Sequence, residues 1–145
     1  MTLPDRTQYY YVRNTASNRY LRATLDGAVY TGRKIADSFH AWHFYPHGSG
    51  LQIRNVASLR MLTLGSYSDD EGGYYQLKMG GLEHGDEPWK VASVGGQDAI
   101  TIEFPRASLS LLEYGGAKPY AVTRKFEGGK ELDRTHWVLE RATVN

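Results

Sequence analysis

Acids and histidines return at matching places along the chain. Asp37, Asp86 and Asp133 each stand within five residues ahead of a tryptophan (Trp42, Trp89 and Trp137), with His40, His84 and His136 close by. A carboxylate accepts hydrogen bonds from two adjacent hydroxyls, and an aromatic ring stacks on the apolar face of a pyranose. Carboxylate, aromatic face and imidazole together are the components of a shallow sugar site. The first stretch of chain supplies Asp26, Tyr30, Asp37 and His40. A second supplies Asp69, Asp70, Tyr74, His84 and Asp86, and a third Tyr114, Tyr120, Asp133 and His136. Singly, each residue has a plainer use, since an Asp ahead of a strand caps a turn and exposed tyrosine is common on strands.

Other chemistries find less to work with. The chain has no cysteine, hence no disulfide, thiol nucleophile or thiolate metal site. It carries no Gly-x-Ser-x-Gly, no His-Glu-x-x-His, no phosphate loop and no dinucleotide fingerprint, so we expect no enzyme and no cofactor. His40, His43 and His47 fall within eight residues. On a strand, residues 40 and 43 would point to opposite faces, and the third lies beyond Pro46, so a zinc ion would not find three converging ligands. The 145 residues hold 17 basic and 16 acidic side chains, a net charge of +1 that offers no field to gather a polyanion. Arg13, Arg19 and Arg22 are the nearest approach to a basic stripe, and strand alternation splits them between faces. Nucleic acid is not an expected partner, and neither is a membrane, since no apolar run is long enough to cross one. Without cysteine or an apolar leader in Met-Thr-Leu-Pro-Asp-Arg, a cytoplasmic location is expected, as a monomer or homodimer.

The elements that must position these residues repeat. The tryptophans are spaced 47 and then 48 residues apart, and each is followed two positions on by an apolar residue: Phe44, Val91 and Leu139. A second landmark keeps the same phase. Ala16-Ser17-Asn18-Arg19-Tyr20-Leu21 returns as Ala57-Ser58-Leu59-Arg60-Met61-Leu62, and as Ala107-Ser108-Leu109-Ser110-Leu111-Leu112. Alternating segments precede each copy, and Gly-bearing turns follow (Gly27; Gly65 and Gly72-Gly73; Gly115-Gly116). Third strands are expected at Ala28–Thr31, Tyr74–Leu77 and Tyr120–Thr123, each before a tryptophan strand. No apolar stripe at helical spacing appears, apart from one turn near Ala36–Phe39. The expectation is an all-β domain of three four-stranded repeats, at about 9–48, 49–97 and 98–145, with six strands closing a barrel and six capping it.

This pattern resembles the pseudo-threefold β-trefoil, and in size and missing cysteines it is similar to the cytoplasmic β-trefoils of mushrooms: the ricin-B-like lectins and the β-trefoil protease inhibitors. The Gln-x-Trp signature of the lectins is absent, its places reading His40-Ala41-Trp42, Glu87-Pro88-Trp89 and Thr135-His136-Trp137. The resemblance implies a carbohydrate-binding protein whose partners are glycans or glycoproteins. Pro88 offers no backbone N–H, so units one and three are expected to bind better than unit two. The alternative is a loop-based protease inhibitor presenting Arg33 and Lys34, or Arg124-Lys125-Phe126, or the Tyr67–Gly73 segment.

Overall fold

The computed structural model describes residues 3–68, 74–80, 88–104, 109–113, 121–124 and 133–143. Among these described residues, twelve strands fall in three sets of four. The first is β1 (Tyr9–Asn14), β2 (Tyr20–Ala23), β3 (Val29–Gly32) and β4 (Trp42–His47). The second is β5 (Gly50–Asn55), β6 (Met61–Ser68), β7 (Tyr74–Gly80) and β8 (Lys90–Ser93). The third is β9 (Ile100–Phe104), β10 (Leu109–Glu113), β11 (Ala121–Arg124) and β12 (Trp137–Arg141). Alternation explains them: in β9, Ile100, Ile102 and Phe104 are buried while Thr101 and Glu103 between them are half-buried.

Six strands close a ring. β1 pairs with β4 and β12, β4 with β5, β8 with β9, and β9 with β12, all antiparallel. The remaining gap, between β5 and β8, is bridged by reciprocal backbone bonds between Leu51 and Trp89 at 2.9 and 2.8 Å. Gly50 makes that approach possible, because a Cβ there would lie 2.4 Å from the Trp89 carbonyl oxygen. The hairpins β2–β3, β6–β7 and β10–β11 cap one end, joined through β7–β11 pairing and an Ala28–Lys78 bridge. This is the β-trefoil, and ring closure leaves no open edge on the barrel.

The threefold relation is visible atom by atom. The indole N–H groups of Trp42, Trp89 and Trp137 donate to the carbonyls of Leu21, Leu62 and Leu111, each at 3.0 Å. All three rings are buried, in one core with Val12, Phe44, Ile53 and Ile102. Asn14 and Asn55 also match. The side-chain oxygen of each accepts from the N–H groups two and three residues on, and each amide donates to a carbonyl of a neighbouring turn, Arg134 or Phe39. Four residues beyond them, Asn18 (φ 59°) and Leu59 (φ 60°) both adopt the left-handed conformation.

Two details depart from expectation. The third strands begin or end up to three residues later than the alternation suggests, at Val29–Gly32, Tyr74–Gly80 and Ala121–Arg124. Gly65 is not in a turn: β6 runs through it to Ser68, with a bulge between Leu64 and Tyr67. There β6 approaches β7 so closely that a Cβ on residue 65 would meet the Gln76 carbonyl oxygen at 2.9 Å.

Candidate functional site

A recess lies in unit one, between the end of β2 and a single 3-10 turn, Ser38–His40. Asp37 caps that turn. Its backbone is extended (φ −132°, ψ 172°), and its Oδ1 accepts from the His40 N–H at 3.2 Å and faces His40 Nδ1 at 2.7 Å. Burial alone would raise the Asp37 carboxyl, but the hydrogen bonds and charge of His40 outweigh it and hold the group below its ordinary value. An ionised carboxylate only accepts, so Nδ1 is the donor. Nε2 is buried and has no partner among the described residues. Unit two holds the turn from behind, Asn55 donating to the Phe39 carbonyl at 3.0 Å and the Ala57 N–H to the Ser38 carbonyl at 3.1 Å.

The opposite wall belongs to the β2–β3 hairpin. Its turn is fixed by the Thr24 N–H donating to the Ala28 carbonyl and the Ala28 N–H donating to the Thr24 hydroxyl, with Gly27 at φ +90°. Between these walls is a cavity of about 240 Å³. Arg22, Thr24 and Leu25 line it from the hairpin, and Ile35 and Phe39 from the other side. The buried His40 ring and the half-exposed Asp37 carboxylate complete it. The volume falls below the roughly 300–1,000 Å³ of drug-sized ligand pockets and suits one small ring.

Of the first-unit residues expected from sequence, the cavity brings Asp37 and His40 together. Asp26 serves the hairpin turn instead, accepting from the Thr24 hydroxyl, and this bond with that from the Ala28 N–H lowers its pKa. Tyr30 stands across the strand pair from Arg22, with the guanidinium 5.9 Å from its ring centroid, so it supports a wall rather than forming one. Arg22, Thr24, Leu25, Ile35 and Phe39 were not expected. Leu25 carries a signal in hindsight, as an apolar side chain left 86% exposed in a polar turn.

The other units differ. Tyr74 is buried at the start of β7 and offers no ring face to a ligand, which corrects its assignment to a sugar site. His136 is likewise buried, not at a rim. It sits one residue ahead of Trp137, whereas His40 sits two ahead of Trp42, so Thr135 occupies the place matching His40. Asp133 opens the 3-10 turn Asp133–Thr135 and aligns with Ser38 rather than with Asp37; its side chain lies outside the described residues. Asp69, Asp70, His84, Asp86, Tyr114 and Tyr120 also lie outside them.

Two further expectations change. Lys34 is not a free loop cation: it donates to Glu140 Oε1 at 3.1 Å and lies over the rings of Tyr11 and Tyr20. Arg13 and the Tyr20 hydroxyl bind the same carboxylate, at 2.9 and 2.7 Å. Arg33 is exposed. His40 stands in the 3-10 turn rather than on a strand, and His43 is packed edge-on between Tyr9 and Tyr45. Among the described residues no three potential metal ligands gather.

No known family pattern matches the chain, and no curated protein sequence does. Solved structures do. A ricin B-like lectin from Macrolepiota procera, in complex with lactose, superposes with a TM-score of 0.78 at 14% identity, over 97% of this chain and 99% of that one. The Rhizoctonia solani agglutinin gives 0.76 at 13% identity, over 97% and 98%. The designed threefold-symmetric protein ThreeFoil gives 0.74 at 17% identity, over 90% and 96%. At these identities the likeness establishes the fold.

Proposed function

We propose that this β-trefoil is a carbohydrate-binding module, a lectin without catalytic activity, that engages glycans at the unit-one cavity. The observation that carries the reading is the cavity's own chemistry. A half-exposed carboxylate, held by a buried imidazole, faces an apolar wall of Leu25, Ile35 and Phe39. Hydroxyls of a sugar ring supply donors to the carboxylate, while its C–H face covers the apolar wall. The Macrolepiota procera protein, which shares the fold, is a lectin seen with lactose, and this supports the same class of ligand here.

A recess of this size binds one ring weakly, so useful affinity for a glycoprotein comes from several rings or several copies acting together. Glycan-array binding of the purified protein, run beside a panel of serine and cysteine proteases, tests the reading. Retention on glycans, lost in Asp37→Ala, supports it. Inhibition of a trypsin-type protease that disappears with Arg33→Ala, and no glycan retained, replaces it with the inhibitor reading.

A further inference from the structure

The charges at the cavity are unequal in availability. Among the described residues Asp37 is its one carboxylate, and Oδ1 of that group is already taken twice, by the His40 backbone N–H and by Nδ1. Arg22 is its one cation, and among the described residues the guanidinium meets only the face of Tyr30, at 5.9 Å. A guanidinium laid on an aromatic face keeps its N–H donors in its own plane, free to form a two-pronged contact with a carboxylate or sulfate. Strand alternation holds it there, since Leu21 and Ala23 on either side are buried in the core while Arg22 faces outward.

From this imbalance we infer that the cavity selects a saccharide bearing an anionic group, a carboxylate or a sulfate ester, over a neutral galactoside. The inference rests on the glycan-binding reading above and narrows its ligand class. Arg22 receives the anionic group, the half-exposed Asp37 carboxylate accepts from a ring hydroxyl, and Leu25, Ile35 and Phe39 cover the apolar remainder. The preference is electrostatic at a partly open site, so salt weakens it.

Isothermal titration of the intact protein with lactose, 3′-sialyllactose and 3′-sulfolactose tests this. At least one anionic ligand is expected to bind about tenfold or more tighter than lactose. The advantage should shrink as salt rises from about 0.05 to about 0.5 M. Binding of the sialylated sugar alone assigns the group as a carboxylate, of the sulfated one alone as a sulfate, and of both as either anion. Arg22→Gln should abolish the preference, and Arg22→Lys, which keeps the charge, should retain part of it; a melting curve for each variant shows that it folds. Equal affinity for all three ligands, or a preference unchanged in a folded Arg22→Gln, overturns the inference and leaves the glycan reading standing. No binding of any saccharide by the unmodified protein overturns both.

Discussion

The imidazole of His40 lies 2.7 Å from the carboxylate of Asp37, a pair closed across one 3-10 turn and set into the wall of the unit-one cavity. The same oxygen caps the turn, so Asp37 is both a rim group and a structural one. Asp37→Ala should therefore cost stability, by about 1–2 kcal/mol for a lost cap that also strands a buried ring nitrogen. Asp37→Asn keeps an oxygen acceptor and should cost less. Urea unfolding of the two variants checks this; no loss in Asp37→Ala would mean that the cap contributes nothing.

Acid should loosen the molecule in a defined window. In Asp37 and Glu140 alike, burial raises the carboxyl pKa but is outweighed. His40 does this for Asp37, and hydrogen bonds from Tyr20, Lys34 and Arg13 do it for Glu140. Both carboxyls thus sit below their ordinary values of 3.8 and 4.5. Groups depressed in the folded state contribute stability that is complete above their unfolded pKa and lost as pH falls through the folded one. The melting temperature should hold above pH 4.5 and fall below it, more steeply under 3.8. Glu140→Gln should flatten the upper part of that fall. A melting temperature that rises on acidification would contradict the assignment.

The three tryptophans should behave alike. Replacement of any one by Phe leaves a leucine carbonyl (Leu21, Leu62 or Leu111) without its donor and leaves a gap in the core. We expect the three losses to agree within about 1 kcal/mol, and Trp→Ala to cost roughly 3–5 kcal/mol at each site. One variant of near-normal stability would show that the positions are not equivalent.

Leu59 is 67% exposed and strained at φ 60°, whereas Asn18 fills the matching place in unit one. Asparagine tolerates this conformation and leucine does not. Leu59→Asn should stabilise the protein by about 0.5–1 kcal/mol, raising the melting temperature by roughly 1–4 °C in calorimetry. A decrease would mean that Leu59 packs on something that compensates its strain.

The fold was legible because its markers are periodic: a tryptophan whose indole must find a carbonyl in the core recurs once per unit, in phase with the Ala-Ser turn. The site was only half legible. Asp37 and His40 are three residues apart and meet through local geometry, which spacing reveals. Arg22 reaches the same cavity through the β2–β3 pairing, which spacing does not reveal. The Lys34–Glu140 pair is equally hidden from spacing, since Glu140 lies far along the chain and is brought close by the β1–β12 closure of the barrel. His136, like His40, follows an aspartate by three residues, but a shift of one residue against the tryptophan puts Thr135 in the matching place. Gly65 read as a turn residue because a bulge and a turn both call for a glycine.

Amide chemical-shift mapping during titration with 3′-sialyllactose and with lactose tests the location of the site most directly. Shifts should be confined to residues 22–25 and 35–40, saturating with ligand and absent in Asp37→Ala. Shifts centred elsewhere on the barrel, or none with either sugar, would contradict a glycan site in the unit-one cavity.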